Sequence, residues 1–558
     1  MRLSLIALNA RFSHSCPALF CLREIFAAAL PTSEITLQQF TINDPCYDTL
    51  LAITDAEPDL LCFSLHVWNH SQTLRLVADL RRLLPGVPVL LGGPQAACLV
   101  PAELPAGCTL VRGEAEGLGP DFFYDLAANR LAGQYQAAPG PDFAMPYRPE
   151  DFAGQLANRN IYYESARGCP FACSYCLSSL ERGLRFLPLA QVFAELAAIL
   201  AHRPRVVRFL DRTFNADQER ALVIWQWLLA QPGETLFHFE IAPDLFSPEL
   251  LDFLATVPCG RFQFEIGLQS SNPATLAAVN RRTDLERTRE NLRRLVAADN
   301  IHLHLDLILG LPFETPESFR ASLNEAFAMA PHHLQMGLLK LLPTTPLAQA
   351  ATEFGLLASA APPYPLLANR WLSHAELARL HQLGQCLEAF HNNAFFRATL
   401  DHLRKSGEEP FAFFSSLLDI CRKRAFFRLA RTQDFLHSLL LEMVQERPDA
   451  ALHGELILFD WFASGRQQWP PGLAGQEALR EAKNFLWKSL PENFPPYYNG
   501  QTRKDFFKRA LFCRFSGELL DSLGLASDGR ESGYLCFSPG RRETGVLGRL
   551  APLLFSGG

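Results

Sequence analysis

Cys169, Cys173 and Cys176 bring three thiols together in the string Ala-Arg-Gly-Cys-Pro-Phe-Ala-Cys-Ser-Tyr-Cys. Three thiolates at this spacing can hold three irons of a 4Fe-4S cluster and leave the fourth iron open, whereas a cluster that only carries electrons normally has four protein ligands. An open iron is a place for chemistry. A structural zinc ion usually takes four Cys or His ligands, and no fourth ligand stands within a few residues of the triplet. Three buried cysteines that only pack remain a second alternative.

A metal-binding loop needs rigid elements around it, and the flanking sequence alternates between strand and helix. Apolar runs at 161–164, 206–210, 236–241, 262–268, 302–309 and 334–339 are separated by helical patterns such as 189–201 and 315–330. This predicts six strand–helix units over 161–349, with the cysteine loop directly after the first strand. Residues 1–131 show the same rhythm, with strands expected at 3–8, 35–40, 60–65, 87–91 and 109–111. That pattern predicts a five-stranded parallel sheet covered by helices on both faces. Residues 132–160, rich in Pro, Gly, Ala and Gln, read as a linker. From 350 to 558 the pattern turns helical and aromatic.

Composition bounds the partners. The chain has 558 residues, a formal charge of −7 and 48% hydrophobic residues, the profile of a globular protein. No run of Lys or Arg argues for nucleic acid. The N-terminal apolar run is too short for a signal peptide and reads as a strand, and no apolar segment approaches the ~20 residues of a membrane span. The 14 cysteines, mostly isolated in apolar company, suit reduced thiols, so a cytoplasmic location is expected.

The cysteine spacing, with Arg167-Gly168 before it and Tyr175 inside it, resembles the signature of the radical S-adenosylmethionine (SAM) superfamily. The resemblance implies a partial (βα)6 barrel of the TIM type, SAM chelating the open iron, and reductive cleavage of SAM to a 5′-deoxyadenosyl radical. It sets Tyr175 against the adenine. Active sites of such barrels lie at the C-terminal strand ends. There, Asp211 could accept the ammonium group of SAM and Arg212 a carboxylate, or the two could form an ordinary strand-end salt bridge. Glu240 ends the third strand, and Glu265-Ile266-Gly267-Leu268-Gln269-Ser270 resembles the family's Gly-x-Gln-Ser element, which suits Glu265 and Gln269 to ribose hydroxyls. Carboxylates such as Glu240 and Glu265 in apolar strands are expensive unless paired. Leu309-Gly310-Leu311-Pro312 resembles the family's element on the adenine side, through Gly310.

The N-terminal region resembles the cobalamin-binding domains fused to such barrels, Rossmann-like with flavodoxin-like strand order. Ligands of open parallel sheets bind outside the carboxyl ends of the strands, where Asn9, Ser64, Gly92, Gly93, Gly113 and Glu114 are expected. The Asp-x-His-x-x-Gly motif that supplies a cobalt ligand is absent, and His14, His66 and His70 stand outside any such pattern. Cobalamin without a protein histidine on cobalt is therefore the expectation, beside a domain that merely shields the barrel. The whole arrangement resembles cobalamin-binding-domain radical SAM proteins with an uncharacterised helical C-terminal domain. It implies methylation of an unactivated carbon or phosphorus, a small-molecule or peptide substrate, and an electron donor such as flavodoxin or ferredoxin. The alternatives are a radical rearrangement or C–C bond formation without methyl transfer, and a non-catalytic iron-sulfur or cobalamin sensor. Trp461, Trp469 and the stretch Gly540-Arg541-Arg542-Glu543 could face a substrate, although such aromatics are more often core.

Overall fold

The computed structural model describes residues 1–558 apart from 100–103, 141–142, 181–182, 472, 474, 491–500, 526–530, 540–541, 543–545, 548–549, 551 and 556–558. Gly540, Arg541 and Glu543 thus lie outside the described residues.

The first sheet holds β1 (Arg2–Asn9), β2 (Glu34–Thr41), β3 (Leu60–Ser64), β4 (Val89–Gly92), β5 (Cys108–Arg112) and β6 (Gln134–Gln136). All pairs are parallel and the order is β2-β1-β3-β4-β5-β6, which contains the flavodoxin-like series. Alternation on β1 sends Leu3, Leu5 and Ala7 into the core shared with Phe20 and Phe26 of helix Pro17–Ala29. Ile6 and Leu8 meet Leu76, Val77 and Leu80 of helix His70–Leu83 on the other face. A sheet buried on both faces reads as continuous apolar runs. The sixth strand corrects the expectation of five. Gln134–Gln136, placed in a linker by its composition, pairs with the otherwise open backbone edge of β5, and Tyr135 fixes it by donating to Asp125 at 2.8 Å.

The second sheet holds β7 (Ile161–Tyr163), β10 (Val206–Phe209), β11 (Leu236–Ile241), β12 (Phe262–Gln269), β13 (His302–Leu309) and β14 (His333–Leu338), again all parallel and in sequence order. Between β7 and β10 an antiparallel hairpin, β8 (Ala166–Cys169) and β9 (Gly183–Phe186), carries the first cysteine. On β12, buried Phe262, Phe264, Ile266 and Leu268 alternate with Gln263, Glu265, Gly267 and Gln269. The apolar set packs beneath the helices and the polar set forms an inner face. β7 and β14 are the two edges and remain unpaired with each other. Loops of the N-terminal region reach both. Asn160 donates to Ser13 O at 2.7 Å and His14 Nδ1 lies 2.5 Å from the Tyr162 hydroxyl on the β7 side. Gln95 donates to the Tyr364 hydroxyl at 2.6 Å beyond β14.

After β14 come a short ribbon, β15 (Leu357–Ala358) with β16 (Leu366–Ala368), and a helical region from His374 to Ser489. Buried Asp460 accepts from Ala398 N at 2.8 Å and Thr399 N at 2.9 Å, capping the helix Arg397–Ser406. Trp461 is core, and Trp469 packs against Phe462. The helical expectation also needs correction at its end. β17 (Leu511–Ser516), β18 (Ser532–Phe537) and β19 (Leu553–Phe555) form an antiparallel sheet, since Cys513, Phe515, Leu535 and Phe537 bury a strand-period apolar face.

Candidate functional site

A cavity of about 200 Å³ lies at the C-terminal ends of the second sheet, and Cys169, Cys173 and Cys176 all line it. Its other walls come from different strands. Arg212 and Thr213 follow β10, Glu240 ends β11, Glu265, Gly267 and Gln269 stand on β12, and Asp306 on β13. Tyr175 joins them from the cysteine loop. Among the described residues no three His, Cys, Asp or Glu converge as a single metal ion would require. Three thiols around one shared space suit a larger cluster.

The cysteine hairpin is held by a knot of charge. Arg167 donates to Glu114 at 2.8 Å, to Glu116 at 2.7 Å and to Glu164 at 2.8 Å. Glu114 also takes Arg185, and accepts from Gly140 N at 3.0 Å. Glu114 therefore serves as the anchor between the N-terminal domain and the cysteine hairpin, which corrects the expectation that places it on cobalamin. Its carboxyl is held below the usual range by these partners despite partial burial.

Around the thiols, Thr213 Oγ1 lies 3.6 Å from Cys169 Sγ, and Arg281 Nη1 lies 3.8 Å from Cys173 Sγ. Arg281 is steered by a 2.6 Å bond from Nη2 to Gly267 O and by stacking over Phe171. Arg281 escapes a sequence reading because it follows the helix Pro273–Ala278 at a turn, outside any strand end. The signal available was the basic pair Arg281-Arg282 just after the Gln-Ser element. Asp306 was missed as well, although it stands four residues before Gly310 on the expected fifth strand.

Of the three carboxyl groups that line the cavity, Glu240 and Glu265 are shifted in opposite directions. Burial pushes Glu240 up to about 7, with Arg212 3.7 Å away as a partial counterweight. Glu265 is held down to about 2, chiefly by His238 Nε2 at 2.9 Å, with Arg208 at 3.5 Å. Gln269 sits beside a β-bulge with φ of 71°, a left-handed conformation uncommon outside glycine, and its buried Oε1 has no hydrogen-bond partner.

Other expected residues fall elsewhere. Asp211 is buried away from the cavity, accepting from Ser165 N at 2.9 Å and from Ser165 Oγ at 2.5 Å, and burial pushes it up to about 7. The Ser165 pair corrects its assignment to the SAM ammonium group. Gly310 does not line the cavity either. Its φ of +92° and a Cβ that would stand 2.4 Å from Leu366 Cδ2 explain the glycine as a packing requirement. In the first sheet, Gly113 has φ of +90° and would press a Cβ to 2.4 Å from Ala137 O. Asn9 donates to His14 O and Gln39 Oε1, both at 3.2 Å, and Ser64 Oγ lies 3.3 Å from His66 Nε2. Gly92 ends β4, and Gly93 follows it.

These features define a class that the comparisons support. Residues 163–326 match the Radical SAM superfamily, and the chain carries a radical SAM domain. Residues 352–528 match a family described as a protein of unknown function, DUF4080. The chain is 26% identical over 352 residues to 2-(S-pantetheinyl)-carbapenam-3-carboxylate methyltransferase of Streptantibioticus cattleyicolor, covering 54% of this chain and 50% of that protein. It is also 26% identical over 338 residues to the cobalamin-dependent radical SAM methyltransferase TokK of Streptomyces tokunonensis, covering 52% and 48%. The chain thus spans about half the length of the curated relatives it matches. The fold is similar to that of the cobalamin-dependent SAM radical enzyme OxsB with aqua-cobalamin bound, at a TM-score of 0.57 and 13% identity over 83% of this chain and 80% of that one. Among the described residues no helix is long and apolar enough to cross a membrane.

Proposed function

We propose that this protein is a radical SAM enzyme that methylates an unactivated centre with the help of cobalamin. The observation that carries the reading is one cavity shared by three thiols, two arginines and three carboxyl groups. Such a lining complements a sulfonium ligand that bears both an ammonium and a carboxylate group. When bound, a 4Fe-4S cluster would supply the electron that divides SAM into methionine and a 5′-deoxyadenosyl radical, and cobalamin would supply the transferable methyl group.

Cys169, Cys173 and Cys176 would hold the cluster, and Arg281 offsets the charge gathered beside Cys173. Glu240 in its ionised form receives an ammonium group, and Arg212 orients a carboxylate through charge-assisted hydrogen bonds. Glu265 and the free Oε1 of Gln269 accept from ribose hydroxyls, while Tyr175 offers a ring face to the adenine. Ile241 and Ala242 add apolar wall that keeps water from a reactive intermediate. The C-terminal strand ends of the first sheet are the site proposed for cobalamin, because the loops around them contact the edge strand β7 at Tyr162 and the segment beyond β14 at Tyr364. Support also comes from the names of the relatives, TokK and OxsB, which are cobalamin-dependent. The methyl acceptor is a small molecule or peptide, and an external donor such as flavodoxin or ferredoxin supplies electrons.

The test is anaerobic reconstitution followed by SAM and a reductant. The wild type should bind four irons per chain and release 5′-deoxyadenosine, and Cys→Ala at 169, 173 or 176 should reduce release to background. A triple Ala variant that still cleaves SAM would overturn the proposal.

A further inference from the structure

Gln269, which lines the cavity, is held in place from behind. Its backbone is left-handed, and the three residues that follow it are each tied to the segment that follows β13. Ser270 donates through Oγ to Glu314 and accepts from Asn272 N at 3.0 Å. Ser271 N donates to Ser322 Oγ at 3.0 Å, and Asn272 Nδ2 donates to Phe313 O at 2.9 Å. Phe313 is itself left-handed, with φ of 61°. Two strained residues thus stand on opposite sides of one link. Such strain persists only where the surrounding structure over-determines the backbone.

Glu314 is the centre of this clamp. With Ser270 and Ser322 it is wholly buried, at 0% exposure. A carboxylate cut off from water is costly unless its oxygens are hydrogen-bonded. Here Oε2 accepts from Ser270 Oγ and Oε1 accepts from Ser318 Oγ at 2.7 Å. Ser318 lies in the first turn of helix Pro316–Ala328, whose N-cap Thr315 directly follows Glu314, and the positive end of the helix dipole favours a negative charge there. Burial still pushes the carboxyl up. Apolar groups of matching shape could join the two loops without this cost. What the carboxylate adds is direction, since both of its oxygens accept and so fix the Ser270 hydroxyl next to Gln269.

The side chain of Gln269 has a direction of its own. A Cβ built on Gly267 would stand 2.2 Å from Gln269 Nε2, so the amide nitrogen folds back over that glycine. The other end of the amide, Oε1, is buried without a hydrogen-bond partner. We infer that Glu314 is a positioning residue for SAM: it locks the turn after β12 so that Gln269 keeps its left-handed backbone and offers Oε1 to the cavity. The inference rests on the radical SAM reading and adds to it a residue that does not itself line the cavity.

The experiment is a double-mutant cycle on reconstituted full-length protein, with the SAM dissociation constant measured by equilibrium dialysis. Gln269→Ala removes the acceptor and should weaken SAM about tenfold, equivalent to ~1.4 kcal/mol. Glu314→Gln should weaken it by a comparable factor, because a carboxamide cannot accept from both serines through oxygen. The double variant should bind no more weakly than the weaker single variant, since Glu314 acts through Gln269, whereas independent effects would multiply to about a hundredfold. Amide exchange at 269–272 should quicken in Glu314→Gln, with the iron content unchanged. Should Glu314→Gln fail to fold, Ser270→Ala, which removes only the hydroxyl, replaces it in the cycle with the same expectations. A multiplied loss in the double variant, unchanged SAM affinity in either single variant, or unchanged exchange at 269–272 overturns the inference, while SAM binding by the wild type keeps the underlying reading. A wild type that binds no SAM removes both.

Discussion

The two parallel sheets meet their polar residues differently. At the strand ends of the first sheet, Asn9 and Glu114 are bonded within the chain, and Arg23 of the neighbouring helix grips Asp151 through two bonds of 2.6 and 2.7 Å. On the inner face of the second sheet, His238, Gln269 and His302 each keep a buried atom without a partner, as Gln38 and Arg112 do in the first, and Gln269 does so at the cavity itself. The contrast teaches where polarity builds the fold and where it waits for a ligand. A group satisfied by its own chain contributes to folding, whereas an unsatisfied buried one costs stability and persists for function.

The comparison breaks most sharply at the buried Arg23–Asp151 pair, with side chains 8% and 5% exposed. Asp151→Ala leaves the buried guanidinium with Glu24 and the Pro146 carbonyl in place of its two-pronged partner and should destabilise the protein by about 3 kcal/mol, measured by urea unfolding; a loss below ~1 kcal/mol would place the pair with weak surface bridges. A smaller effect is expected in the second sheet. In the proposed function the SAM ammonium group binds ionised Glu240, and burial pushes that carboxyl up to about 7, so on that proposal SAM affinity should rise as pH climbs through 7 and fall away below it. Glu240→Gln should flatten this profile and weaken binding about tenfold at high pH, some 1.4 kcal/mol, with unchanged unfolding. Equilibrium dialysis against SAM from pH 6 to 8.5 checks it, and a sloping profile in the variant would remove Glu240 from the site. The smallest effect belongs to the histidines near the first sheet. Replacing His14, His66 and His70 by Ala should leave the electron paramagnetic resonance spectrum of bound Co(II) cobalamin unchanged. Nitrogen hyperfine splitting that vanishes in the variant would reveal a protein ligand.

How much was legible depended on whether chemistry lay along a strand or came from across a turn. β11 and β13 match the sequence reading at both ends, because 236–241 and 302–309 are apolar runs with clear punctuation. Glu265 and Gln269 were legible because period-two alternation puts both on one face of β12. Asp211 was misplaced because a strand-end position does not say which way the side chain turns, and Ser165 supplied two donors on the wrong side. Arg281 needed knowledge of how the chain leaves a short helix and comes back over Gly267. Glu388 and Asn392 lie fifty or more residues beyond β14, where nothing local in the sequence links them to His333. Sheet β17-β18-β19 was hidden because its strands are short and far apart in a helical neighbourhood.

The knot of Arg167 and Arg185 with Glu114, Glu116 and Glu164 has a consequence for anyone who would recombine such enzymes. Its arginines belong to the cysteine hairpin and two of its glutamates to the other domain. A graft of a foreign N-terminal domain onto this barrel would strand Arg167, 14% exposed, with only Glu164 for company. The junction works as a lock and key between halves, so a functional chimera has to import residues 114 and 116 together with the surface that displays them.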